Sequence, residues 1–150
     1  MNDIGEFLAH AVKLEHEAAT RFADLTEAMK SYGNKEVAAF FSKMAEYSRK
    51  HLAEARARSG FRDIPDIVPD WADGESPEAT SMEASHYLMT VDYALSLALE
   101  GERRSHAFYA DIARDTTDPE VRMAAEEFAA EEAEHVAALE ALAKKYPAAA

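Results

Sequence analysis

Four stretches of the chain bring apolar residues back at three- and four-residue steps, the period of a helix packed along one face. The first runs Leu8, Ala11, Glu15, Ala18, Phe22, Leu25 and Met29, and the second Val37, Phe40, Phe41, Met44, Ser48, His51, Leu52 and Ala55. The third is Leu88, Val91, Leu95, Ala98, Glu102, His106, Tyr109 and Ile112, and the fourth Val121, Ala125, Phe128, Glu132, His135, Leu139 and Leu142. Start and stop signals bracket each stripe. Asp3-Ile4-Gly5-Glu6 has the form of a capping box, Gly33 stops the first helix, Asn34 caps the second and Gly60 closes it. Ser76-Pro77-Glu78 and Asp118-Pro119-Glu120 open the other two, with proline at the first helical position, and Pro147 ends the last. No segment alternates as a strand does, so the expected fold class is all-α.

The connections then set the topology. Short turns at Gly33 and near Asp118 make antiparallel hairpins over 3–59 and 77–146 of a single domain spanning 1–150. Between them, residues 60–76 carry Pro65, Pro69, Trp71 and Gly74 and read as an ordered crossover, with Trp71 its anchor. A helix unbroken from Pro77 to Arg114 outlasts its partners, so a break is expected near Ser81–Ala84. Two helical hairpins joined by one long crossover are the connectivity of a ferritin-like antiparallel four-helix bundle.

Charge and composition narrow the partners. Lys and Arg number 16 against 29 Asp and Glu, so the net charge of −13 repels nucleic acid and anionic lipid surfaces. There is no cysteine, which excludes disulfides, thiolate zinc sites and iron–sulfur centres. With no basic leader and no long apolar run at Met1-Asn2-Asp3, a cytoplasmic protein without a membrane span is the expectation.

The two hairpins repeat one another. Residues 8–25 overlay 95–112 without a gap, pairing Leu8 with Leu95, Glu15 with Glu102 and Phe22 with Tyr109. Residues 36–55 overlay 120–139, pairing Glu36 with Glu120 and His51 with His135. A hydrophobic pattern alone does not generate matching polar residues on apolar stripes. Ionised Glu15 and Glu102 in a core are costly unless paired or bound to metal. In Glu132-Ala133-Glu134-His135 the i, i+3 spacing turns a carboxylate and an imidazole toward one point. Di-iron carboxylate bundles take one Glu from each of two helices and a Glu-x-x-His from each of the other two. Glu15, His51, Glu102, Glu132 and His135 are therefore the candidate metal ligands.

Here the chain resembles the rubrerythrin-like branch of the ferritin-like superfamily over nearly its whole length. The resemblance is carried by Glu15…Ala18…Phe22, by Glu102…Ser105…Tyr109 and by the Glu-x-x-His at Glu132 and His135. It implies a carboxylate-bridged di-iron site that handles peroxide, oxygen or ferrous iron. Two departures stand out. A rubredoxin domain is lacking, so an external electron donor is expected. Ser48 stands three residues before His51, where the family places a bridging glutamate, and a hydroxyl is too short to span two cations about 3.5–4 Å apart. Rubrerythrin-like proteins are typically paired through helix faces, which points to a homodimer, and Tyr87, Met89 and Tyr93 are candidates for that surface.

The buried acids can instead line a water-filled polar core or pair with Arg49 or Arg103, and His51 can be a core histidine. His106, one turn after Glu102, is either bonded to a neighbouring helix or an extra ligand, and Glu54 replaces the oxygen lost at Ser48 only if its helix shifts. His10, His16 and His86 fall off the ligand stripe and are expected at the surface, while Glu126, Glu127, Glu131 and Glu134 read as a solvated face. Iron, as one ion or two, suits this donor set, and manganese or zinc accepts it as well. No catalytic residue is assigned. The functional alternatives are an iron-dependent oxidoreductase, a metal-binding protein without turnover, and a structural bundle with a degenerate site.

Overall fold

Asp3, Asn34 and Asp118 each turn a side-chain oxygen onto a free amide at the start of a helix. Asp3 accepts from the Glu6 amide at 3.0 Å, Asn34 from Val37 at 2.9 Å and Asp118 from Val121 at 2.9 Å. The computed structural model describes residues 1–59 and 89–148. In them the chain forms α1 (Ile4–Tyr32), α2 (Lys35–Ser59), α3 (Val91–Asp115) and α4 (Pro119–Ala143), with no strand among the described residues. Gly33 takes φ +96°, a left-handed conformation that glycine adopts without penalty, and its amide closes onto the carbonyls of Met29 and Lys30. The expected crossover at 60–76, the helix start at Pro77 and the break near Ser81–Ala84 lie outside the described residues.

The helices pair as α1 with α2 and α3 with α4, and the two hairpins meet mainly through α1 and α3. Asn2 joins them at one end, its Oδ1 accepting from the Thr116 hydroxyl and the Thr117 amide, both at 2.8 Å. The result is the ferritin-like antiparallel four-helix bundle that the sequence pattern predicts.

Its core is divided in two. One apolar cluster gathers the end of α1, the start of α2, the start of α3 and the end of α4 around Phe22, Met29, Val37, Phe41, Leu95 and Leu139. The other gathers the opposite ends around Phe7, Leu8, Leu14, Tyr109, Val121 and Phe128. In the second cluster Phe7, Tyr109 and Phe128 meet edge to face or tilted, with ring centres 5.4–5.9 Å apart. Between the clusters every helix contributes buried polar residues: Glu15 from α1, Ser48 and His51 from α2, Glu102 and Ser105 from α3, Glu132 and His135 from α4. This polar layer is the candidate site.

Three sequence-based placements change. His10 is buried, because Phe108 of α3 packs its ring 5.8 Å away and covers a position that lies off the stripe on α1 alone. Met89 belongs to the first apolar cluster and does not face outward, whereas Tyr93 is exposed and Tyr87 lies outside the described residues. Glu131 departs from the solvated face, half-buried against α2.

Candidate metal centre

Each hairpin sets its histidine against the glutamate of its own first helix. In the first, His51 Nδ1 lies 3.8 Å from Glu15 Oε1; in the second, His135 Nδ1 lies 3.2 Å from Glu102 Oε1. The imidazoles of His51 and His135 face one another nearly parallel, 13° apart with ring centres at 5.8 Å. The repeat seen in the sequence thus becomes an approximate two-fold relation in the layer.

The halves differ where the repeat fails. Glu132 adds a second carboxylate to the α3–α4 half, its Oε2 at 3.5 Å from His135 Nδ1. One donor atom from each of Glu102, Glu132 and His135 falls within 4.8 Å of the others, and all three residues are buried. Ser48 holds the matching position on α2 and is 2% exposed. The α1–α2 half therefore brings one carboxylate and one imidazole, the other half two carboxylates and one imidazole. His106 is half-buried on α3 and does not join the three-residue cluster, and Glu54 is exposed. Arg103 pairs with Glu140 at 2.9 Å and Arg49 is exposed, so the structure pairs neither with these buried acids.

The electrostatics follow from this geometry. Burial pushes the Glu102 carboxyl up to about 8, and the negative charge of Glu132 beside it adds to the rise. Glu102 Oε2 and His135 Nδ1 are both buried without a hydrogen bond. Buried polar atoms in that state call for a partner. A divalent cation among Glu102, Glu132 and His135 meets that demand, since it neutralises the carboxylates and takes the nitrogen lone pair. The donor set fits a metal of the iron, manganese or zinc type. At His51 burial alone lowers the pKa, but the negative charge of Glu15, with Glu131 and Glu54 nearby, outweighs it and holds the pKa above the usual value.

One feature of the site escaped the sequence. Glu131 stands one residue before Glu132, off the apolar stripe, yet its Oε2 reaches 3.4 Å from His51 Nε2. The available signal was that a buried imidazole needs an acceptor at its second nitrogen. Tyr47 of α2, 45% exposed, sets its ring edge-on to both His51 and His135, with ring centres at 6.0 and 5.6 Å. It borders a groove of about 240 Å³ lined by Phe40, Lys43, Met44, Tyr47, Glu134, His135 and Ala138, which opens beside the layer.

A four-helix bundle whose two apolar clusters enclose a carboxylate and histidine layer defines a ferritin-like protein with a candidate metal centre. The family model described as Rubrerythrin matches residues 6–143, and the chain belongs to the rubrerythrin family. The crystal structure of an uncharacterized conserved protein from Magnetospirillum magnetotacticum MS-1 is similar to it at 36% identity and a TM-score of 0.87, covering 99% of this chain and 98% of the other. No curated protein gives a significant match. No described helix is long and apolar enough to cross a membrane.

Proposed function

We propose that this chain is a non-haem iron protein of the rubrerythrin type. It binds one or two ferrous ions in the polar layer, and their electrons pass to peroxide or oxygen. The observation that carries the reading is the buried convergence of Glu102, Glu132 and His135, with Glu102 Oε2 and His135 Nδ1 left without hydrogen bonds. Glu15, Glu102 and Glu132 would hold the metal through carboxylate oxygens, and His51 and His135 would each supply one nitrogen. When bound, iron supplies the reversible ferrous–ferric electron transfer that no protein side chain here provides.

The chain's own residues do the rest. Glu102 carries a proton near neutral pH and gives it up when a cation takes its place. The apolar clusters on either side keep bulk water from the layer, which strengthens every charge interaction within it. The groove beside Tyr47 and His135 is an approach for a molecule the size of peroxide. In this reading the reducing electrons come from an external donor, and the working unit is a homodimer in the cytoplasm.

A second reading, metal binding without turnover, draws on Ser48. With a hydroxyl in place of the bridging carboxylate, the α1–α2 half holds its ion more weakly. One experiment separates the two. Protein loaded anaerobically with Fe(II) and then exposed to oxygen or peroxide is expected to develop near-ultraviolet ferric absorbance within the mixing experiment. Tight binding with no such change selects the second reading, and no bound iron at all overturns both.

A further inference from the structure

His51 meets a carboxylate at each nitrogen of its ring. Nδ1 lies 3.8 Å from Glu15 Oε1, and Nε2 lies 3.4 Å from Glu131 Oε2. The two nitrogens point away from one another, so a cation shared by Glu15 and Nδ1 is out of reach of a carboxylate at Nε2. Glu131 is therefore placed as no ligand of that ion. Its position is that of a group which decides where the ring keeps its proton.

A neutral imidazole carries one proton, and only the nitrogen without it offers a lone pair to a cation. Glu15 and Glu131 compete for that proton. If it sits on Nδ1 toward Glu15, the site-facing nitrogen is closed to metal. Glu131 is the nearer acceptor, at 3.4 Å from Nε2 against 3.8 Å between Glu15 and Nδ1. His135 has two carboxylates near Nδ1, Glu102 at 3.2 Å and Glu132 at 3.5 Å, and no acid lies within ion-pair distance of its Nε2 among the described residues. Ser48 deprives His51 of the matching second carboxylate, and Glu131 reaches across from α4 to the other edge of the ring.

We propose that Glu131 is a positioning residue: it accepts the Nε2 proton of His51 and fixes the tautomer whose Nδ1 lone pair faces Glu15 and the polar layer. The proposal rests on the metal-centre reading above for its purpose, but the tautomer itself is testable without metal. Long-range proton–nitrogen correlation spectra of the metal-free full chain, with His51 assigned by comparison with His51→Gln, read it directly in the neutral ring. The wild type and Glu131→Gln, whose amide oxygen still accepts, are expected to show Nε2–H. Glu131→Leu is expected to shift to Nδ1–H or to a mixture. In calorimetric titrations with Mn(II), Glu131→Leu is expected to weaken the position beside His51 by about 10–100-fold and Glu131→Gln to restore it, with the Glu102, Glu132 and His135 position unchanged. A wild type that binds no Mn(II) overturns the metal centre and leaves the tautomer assignment to the spectra. Unaltered spectra and affinity in Glu131→Leu overturn the role of Glu131 alone.

Discussion

Glu102 sits at 1% exposure with Glu132 beside it, and its carboxyl is raised from an ordinary 4.5 to about 8. The folded chain without metal thus binds a proton there that the unfolded chain has lost. The contribution to stability is full below about 4.5 and declines as the pH rises toward 8, at up to about 1.4 kcal/mol per unit. Urea unfolding of the metal-free protein at several pH values is expected to show this decline, and Glu102→Gln to flatten it. The same variant is expected to raise metal-free stability at neutral pH by about 1–4 kcal/mol while abolishing tight metal binding. An undiminished slope in Glu102→Gln removes Glu102 as its source. At this scale the sequence reveals the residues that break a pattern: Glu15, Glu102, Glu132, His51 and His135 are polar where their stripes are apolar. It is silent on His10 and Glu131, which border the stripes and owe their burial to Phe108 of α3 and to His51 of α2. Those neighbours are set by how the helices pack, which no single helix encodes.

The starts of α1, α2 and α4 were legible because helix ends are chemical. By contrast, α3 begins at Val91 after Thr90, which makes no side-chain cap bond and was not expected as a start. Asp3, Gly33, Asn34 and Asp118 all act as their residue types predict, since an unpaired first-turn amide or last-turn carbonyl selects for such residues. Asp118→Ala removes the bond to the Val121 amide and is expected to cost about 1 kcal/mol in thermal or urea unfolding. It lies away from the polar layer and is expected to leave the metal count unchanged, which makes it a control for the ligand variants. Ser48→Glu is the converse change on α2. It restores Glu-x-x-His with His51 and adds an anion to a layer that already holds Glu15, Glu102 and Glu132. Without metal the anions repel and one takes up a proton, so the variant is expected to be less stable than the parent at neutral pH. With divalent cations in the layer it is expected to gain more stability than the parent, and to bind a second Mn(II) more tightly by calorimetry. Equal metal count and affinity in the two proteins place Ser48 outside the site.

The whole molecule is two hairpins with a costly seam. The first supplies Glu15 and His51, the second Glu102, Glu132 and His135, and between the apolar clusters the two meet through this polar layer. Large side chains in each cluster hold the ends: Phe41 and Phe7 are fully buried, and truncation of either to alanine is expected to cost about 3–5 kcal/mol. The layer instead buries three carboxyl groups whose nearest partners are His51 and His135. A metal ion held by ligands from both hairpins would tie them at this level, and its effect on stability is expected to be concentrated there. Hydrogen exchange followed amide by amide tests the arrangement. In the metal-free protein, amides near Glu15, His51, Glu102 and Glu132 are expected to exchange faster than those beside Phe22 or Tyr109 on the same helices. Mn(II) at about one hundred times its Kd adds about 2.7 kcal/mol to global stability, which slows every amide that exchanges by full unfolding. The amides of the layer are expected to slow by more than that, because they lose a local opening as well. Uniform slowing along the four helices means that the layer is no weaker than the clusters that flank it, and that the two hairpins already act as one unit before metal arrives.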